Sequence, residues 1–205
     1  MVDPREKQEA LIALPQIFPK LSHTRFTLDD ITSEKTEGYN CIAYAAKDES
    51  RPWWPAPRWL SLRYYYWPDC LPREHPATVE NFFKAFEMLG YEWCQNGKRE
   101  LGFEKVAIYV DPYGVPTHMA REPGDGVWYS KLGDLQDIRH HVLEALENQA
   151  YGKAAYFMRK PLEGYPRWKR SLGKLLNILS DLRPEQKLDF SLQHRSAQKD
   201  RSREA

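Results

Sequence analysis

The chain has few cysteines, almost no net charge and no long apolar run. Three cysteines among 205 residues, at irregular spacing, argue against a disulfide framework. A formal net charge of +1 argues against nucleic acid or an anionic membrane as the main partner. No window approaches the roughly 18 apolar residues of a membrane span, and the N-terminus lacks the features of a signal peptide. We therefore expect a cytoplasmic protein, with a secreted effector as the alternative.

Aromatic residues, by contrast, are abundant and concentrated in one segment. They make up 13% of the chain, and the proline-rich residues 51–76 hold many of them. The prolines exclude a continuous helix or a central strand, so we predict a long ordered loop. This loop either builds a satellite core or lines, in part, a groove that stacks on a sugar or a peptide. The groove candidates are Trp53, Trp54 and Trp67, and the other aromatic residues are Trp59, Tyr64, Tyr65 and Tyr66.

The sequence divides into three predicted parts. Residues 1–37 have the pattern of an irregular lead-in, with a short helix near residues 6–13 that the following prolines interrupt. Residues 38–163 carry the regular patterns and form the predicted domain. Residues 164–205 are basic and poor in core-forming residues, which is typical of one amphipathic helix followed by a disordered tail.

The predicted domain begins with helices and continues mainly with strands. Asn40 can cap a helix over residues 41–47, and Thr78 can cap a helix that ends at Gly90. The pattern after Asp134 predicts a further helix. The predicted strands cover residues 104–110, 116–122, 126–133 and 152–160.

The stretch GYNCIAYAAKD, residues 38–48, places Cys41 at the start of a predicted helix. A helix N-terminus and a nearby imidazolium can lower a thiol pKa from about 8.5 to roughly 3.5–7.5. His118, on a predicted strand, can supply that imidazolium and return a proton to a leaving amine. The backbone N–H of Cys41 would bind the oxyanion, and Asn40 is either a further donor or only the helix cap.

This order of elements resembles the papain-like cysteine hydrolases, including bacterial amidases and CHAP-type members. The motifs YNCIAYA, EKVAIYV, THMAR and WYSKLG, within residues 39–159, resemble more closely a bacterial domain family that has no established reaction. The papain-like resemblance implies an α+β fold in which the cysteine helix packs on a small antiparallel sheet. It implies Cys41 as nucleophile and His118 as general acid/base, in hydrolysis or transfer of an amide or related acyl group without a cofactor.

The residue that would orient His118 is left open by the sequence. Papain-like enzymes place Asn or a carboxylate on the strand after the histidine, where this chain has Ser130. Asp125 and Asp134 flank that strand and are the alternatives. Bacterial cell-wall amidases often place the histidine where this chain has Lys105. In that alignment His118 takes the orienting position and the catalytic base is missing.

A non-catalytic interpretation competes with the hydrolase. Cysteine is among the most buried residue types, so Cys41 alone predicts packing. The alternative is a papain-like binding module whose aromatic loop holds a peptide or a glycan. The scattered cysteines and the adjacent His140 and His141, predicted on different sides of a helix, argue against a metal site. For the hydrolase, a peptide, a protein and a peptidoglycan-like substrate all remain open.

Overall fold

The structure is a computed structural model that describes residues 2–57, 65–73 and 76–166. Trp59 and Tyr64 of the aromatic segment lie outside these ranges, as do the predicted C-terminal helix and tail from residue 167 onward. The chain divides into a main compact unit, residues 1–99 and 103–162, and a second unit, residues 100–102 and 163–205. The elements described below belong to the main unit.

A six-stranded antiparallel sheet forms the centre of the main unit, and the fold is α+β. The strands are β1 (Glu92–Cys94), β2 (Phe103–Val110), β3 (Pro116–Glu122), β4 (Trp128–Lys131), β5 (Asp137–His140) and β6 (Lys153–Pro161). Their order across the sheet is β1-β6-β2-β3-β4-β5. Strands β2 to β5 therefore follow one another, and β6 returns to pair between β1 and β2.

The four predicted strands are confirmed as β2, β3, β4 and β6, but the predicted helix after Asp134 is wrong. Strand β5 occupies this region, and a 3₁₀ helix, Leu143–Leu146, follows it. Pairing with β4 decides the structure, since Lys131 lies opposite Asp137 and Trp128 lies opposite His140. Cross-strand packing of this kind overrides a helical spacing in the sequence.

Within the described ranges, three α-helices accompany the sheet: α1 (Pro4–Ile17), α2 (Cys41–Ala45) and α3 (Val79–Met88). Both predicted caps are confirmed. The Asn40 side chain accepts from the Ala43 N–H at 3.1 Å, and the Thr78 hydroxyl accepts from the Asn81 N–H at 3.3 Å. Among the described residues, no helix is long and apolar enough to cross a membrane.

The N-terminal residues are more regular than predicted. Helix α1 runs through Pro15 to Ile17, although proline removes one backbone donor. Burial of Ala10 and Leu14 holds the helix in place, and Phe18 belongs to the same apolar cluster. The predicted boundary at residue 37 is therefore not a boundary in the packing, because these residues belong to the main compact unit.

Two apolar clusters lie on opposite faces of the sheet. Val106 and Ile108 of β2 join a cluster with α2 and α3, which we call the α2 face. Ala107 and Tyr109 join a cluster with α1 and the 3₁₀ helix, which we call the α1 face. The separation follows from the alternation of side chains along a strand.

Gly152 occupies a position where a larger residue does not fit. Its φ is 69°, and a Cβ at this position would lie 1.8 Å from the Val110 carbonyl oxygen. We predict that Gly152→Ala lowers the free energy of unfolding by about 3–5 kcal/mol, because left-handed strain and a backbone clash add together. Urea denaturation measures this loss.

Gly114→Ala is the matched control. Its φ is 82°, but an added Cβ meets nothing within 4 Å. Backbone strain alone should cost about 1–2 kcal/mol there. Equal losses in the two variants would show that the contact with Val110 is unimportant.

Candidate functional site

Cys41 begins α2, and its side chain is buried in the cluster of the α2 face. Burial raises the pKa of the thiol to about 11. Hydrogen bonds from the backbone N–H groups of Met119, Ile42 and Cys41 itself act in the opposite direction, as does the charge of Lys131. The expectation of a depressed pKa is therefore wrong for this state, because loss of water outweighs the helix N-terminus. At pH 7 the side chain is a neutral thiol.

His118, on β3, belongs to a row of polar groups that crosses three strands. Its Nε2 lies 3.2 Å from the Ser130 hydroxyl, which lies 2.9 Å from Nε2 of His140. His140 Nδ1 lies 2.9 Å from the Val142 carbonyl oxygen. The structure thus brings Ser130 to His118. In the described part of the chain, neither of the alternatives, the carboxylates before and after β4, hydrogen-bonds His118.

The His118 ring is enclosed by aromatic side chains. Tyr151 stacks on it almost in parallel, with ring centroids 4.1 Å apart, and Tyr109 meets it edge-on at 5.1 Å. Burial, reinforced by the charge of His140, holds the pKa of His118 well below its ordinary value. The ring is therefore neutral at pH 7. Its Nδ1 is buried and has no hydrogen-bond partner among the described residues.

Cys41 and His118 lie on opposite faces of the sheet, so the structure does not bring the predicted pair together. Cys41 belongs to the cluster of the α2 face, whereas His118 lies opposite Tyr109 on the α1 face. Met119, whose backbone N–H reaches the Cys41 sulfur, is the residue that follows His118. Burial and, after it, a charge on Cys41 raise the pKa of Tyr151, the residue stacked on His118. Over the described ranges, no hydrogen bond joins the thiol to the imidazole, so the predicted pair is not engaged in this state.

A second polar group lies on the α2 face and was not identified from the sequence. The Tyr39 hydroxyl donates to Asp137 at 2.6 Å, and Lys131 Nζ lies 5.4 Å from the Tyr39 ring centroid. Burial raises the pKa of Asp137 and lowers that of Lys131. Lys131 is the cation that favours a thiolate at Cys41. The sequence carries no signal for it, since a lysine on a strand is ordinarily exposed.

Asn40 is the helix cap, as one of its two predicted roles required. Its side-chain oxygen accepts from the N–H groups of Ala43 and Trp53, each at 3.1 Å. Its amide nitrogen donates to the Trp53 carbonyl oxygen at 2.7 Å. Asn40 therefore also clamps the aromatic segment to the start of α2.

A cleft of about 590 Å³ opens beside this clamp. Tyr39 and Asn40, the two residues before Cys41, form part of its wall, whereas Cys41 itself is buried. The other lining residues are Glu37, Gly38, Ser50, Arg51, Pro52, Tyr65 and Asp134. This cleft is the open surface that lies next to Cys41 along the chain.

The tryptophans predicted as a groove contribute mainly to the core. Trp67 is 0% exposed and Trp53 is 6% exposed, so the groove interpretation is wrong for both. Trp67 packs on Phe82 with ring centroids 5.3 Å apart. Trp54 is half-buried and meets Phe82 edge-on at 5.9 Å. These three tryptophans thus pack in or against the main cluster of the α2 face, and their burial removes large apolar area from water.

A model of a domain of unknown function, DUF7689, matches residues 30–159, which is more than half of the chain. The chain belongs to the DUF7689 family. The matched range holds Cys41, His118, Ser130 and His140, whereas α1 lies before it. No curated protein and no solved structure matches the chain. Membership of DUF7689 carries no reaction, so function has to be argued from the side chains. In the described residues, no group of three or more His, Cys, Asp or Glu could hold a metal ion.

Two buried neutral histidines should make the fold sensitive to acid. Burial lowers the pKa of His140 to about 4, and that of His118 also falls. Unfolded histidines bind a proton below about pH 6.5, so stability present above that pH is lost as the pH falls towards 4. His140 alone accounts for about 3 kcal/mol of this loss.

Urea denaturation at several pH values between 4 and 7 measures the effect. In His140→Gln, the free energy of unfolding should change less with pH than in the unchanged protein, because glutamine does not titrate. His141→Ala is the control, since His141 is exposed and should leave the slope nearly unchanged. An identical slope in the His140 variant would rule out its buried neutral form.

Proposed function

We propose that this protein is a cysteine hydrolase or acyltransferase of papain-like architecture, acting on an amide or related acyl bond. Cys41 is the nucleophile. The observation that carries the proposal is its place at the start of α2, where backbone N–H groups of Met119 and Ile42 and the charge of Lys131 favour the thiolate. His118 and Ser130, the predicted general acid/base and its orienting residue, lie on the other face of the sheet and do not reach the sulfur directly.

The arrangement of elements supports the papain-like interpretation. Helix α2 packs on β3 and β4, the strands that carry His118 and Ser130, on the face opposite to these two side chains. The orienting residue follows the histidine by one strand, as in the papain-like order. The difference is the use of a serine where those enzymes use Asn or a carboxylate.

The chemistry begins from a neutral thiol. Once the site opens, water or hydroxide takes the proton of the Cys41 thiol, and the resulting thiolate attacks the carbonyl carbon of the substrate. The backbone N–H of Cys41 stabilises the oxyanion, and Lys131 stabilises negative charge near the sulfur. A water molecule gives its proton to the leaving amine. Attack of water or of another nucleophile on the thioester returns the free thiol.

Substrate access requires a local movement. The Cys41 sulfur is buried, and the neighbouring cleft has Tyr39 and Asn40 in its wall. Asn40 holds the backbone of Trp53 through two hydrogen bonds, one in each direction. Release of this clamp would uncover the start of α2 from the cleft side, and binding of substrate supplies the free energy for it.

One observation favours a second function, a non-catalytic papain-like binding module. The sulfur is sealed among apolar side chains, and its raised pKa is that of a structural cysteine. Burial of Trp53 and Trp67 weakens the version in which the aromatic segment holds a peptide or glycan. The two functions differ in whether Cys41 reacts in the folded protein.

Acylation by p-nitrophenyl acetate, followed by intact-mass spectrometry and peptide mapping, separates the two functions. Cys70 is exposed and is first changed to serine to remove a competing thiol. For the hydrolase we expect one acetyl adduct at Cys41 at pH 7, absent in Cys41→Ala. For a binding module, Cys41 should react only near pH 11 or in denaturant, where the thiolate forms or the core opens.

A further inference from the structure

The hydrogen-bonded row His118–Ser130–His140 ends at a backbone carbonyl oxygen, which can only accept a hydrogen bond. The Val142 carbonyl oxygen lies 2.9 Å from Nδ1 of His140, so this nitrogen carries a proton and donates it. A neutral imidazole has one protonated nitrogen, and Nε2 of His140 is therefore an acceptor. The hydroxyl of Ser130, 2.9 Å away, must donate to it.

The direction of hydrogen-bond donation is thereby fixed between Ser130 and His118 as well. Because the only hydroxyl proton of Ser130 points to His140, its oxygen is an acceptor on the side of His118. Nε2 of His118, 3.2 Å away, then carries the proton and donates it to Ser130. The remaining nitrogen of His118, Nδ1, is left with a free lone pair in the interior.

We infer that His140 is a positioning residue that, acting through Ser130, fixes His118 in the Nε2–H tautomer and leaves Nδ1 as a bare base. The tautomer follows from the geometry alone and does not depend on the proposed function, because His118 lies on the face of the sheet opposite to Cys41.

The reverse direction is excluded by burial and charge. If Ser130 donated to His118, Nε2 of His140 would have to donate to Ser130 while Nδ1 donates to Val142. His140 would then be an imidazolium that is 2% exposed, with a hydroxyl and a carbonyl as its hydrogen-bond partners and no carboxylate among them. An unpaired charge in such a place costs far more than a neutral ring.

This direction also explains the serine at position 130. A hydroxyl accepts one hydrogen bond and donates another at the same time, so it passes the orientation of His140 on to His118. An ionised carboxylate accepts only and would end the row. The departure from the papain-like pattern is thus compensated by a second histidine on the next strand.

Long-range ¹H–¹⁵N correlation spectra of the histidine rings at pH 7 test the inference, because they distinguish the two neutral tautomers. We expect the proton on Nε2 of His118 and on Nδ1 of His140. A proton on Nδ1 of His118, or a cationic His140, overturns it. The spectra need neither substrate nor a reactive Cys41, so this result and the acylation result can fail separately.

Three variants test the role of His140. In His140→Ala the acceptor for Ser130 is lost, and the share of His118 in the Nε2–H form should fall. His140→Gln should restore that share, since its amide oxygen can accept from Ser130. His141→Ala, at an exposed neighbour, should leave it unchanged. An unaltered His118 tautomer in a folded His140→Ala overturns the inference. If that variant does not fold, the unchanged protein and His140→Gln still decide it.

Discussion

Replacing Lys131 with methionine is expected to lower the rate of Cys41 acylation at pH 7 by about tenfold, the effect of raising the thiol pKa by about one unit. Lys131 is the cation that favours the thiolate, and burial already raises the pKa of the thiol to about 11. Single-turnover release of p-nitrophenolate at pH 7, in the Cys70→Ser background, measures the rate.

The same measurement over a range of pH reports how Lys131 acts. In Lys131→Met, the loss of rate should shrink as the pH approaches 11, since the thiolate then forms without the cation. His118→Ala is the control, because His118 lies on the other face of the sheet and should leave the acylation rate nearly unchanged. A folded Lys131→Met that acylates at an unchanged rate would remove Lys131 from the chemistry.

Replacing Trp67 with alanine should lower the free energy of unfolding by about 3–5 kcal/mol, the range for removing a large aromatic side chain from a core. Trp67 is fully buried and packs on Phe82 of α3. A loss of this size would be a large fraction of the stability of a domain of ordinary size. Urea denaturation followed by circular dichroism measures it.

The comparison with two other tryptophans sharpens the test. Trp93, on the edge strand β1, is 60% exposed, and Trp93→Ala should change stability by only about 0.5 kcal/mol. Trp54→Ala should fall between them, since Trp54 is half-buried. If Trp67→Ala left stability intact and only weakened ligand binding, Trp67 would be a groove residue and the core assignment would be wrong.

Much of the local structure was predictable because its causes are local. Apolar residues on both faces predicted β2, and side-chain caps at Asn40 and Thr78 predicted the starts of α2 and α3. The position of Cys41 at a helix N-terminus follows directly from the Asn40 cap. These features depend on a few neighbouring residues, so periodicity and capping chemistry suffice.

Strand β5 was missed because its cause lies outside its own apolar spacing. Residues 137–146 have apolar spacing that fits a helix, and β5 forms because it pairs with β4. The role of His140 was hidden by the same error. On a helix it would lie away from Ser130, whereas on β5 it lies next to β4 and reaches the serine hydroxyl.

The sequence by itself determined the residue types, the caps and most strand positions, including a thiol at a helix start and an imidazole on a strand. Only the tertiary structure decided their protonation. Burial keeps Cys41 and His118 neutral. The charge of Lys131 on β4 acts on Cys41, and His140 on β5 reaches His118 through Ser130. The physical reason is that a pKa depends on water, charge and hydrogen bonds within a few ångströms. Residues brought there from distant parts of the chain supply all three.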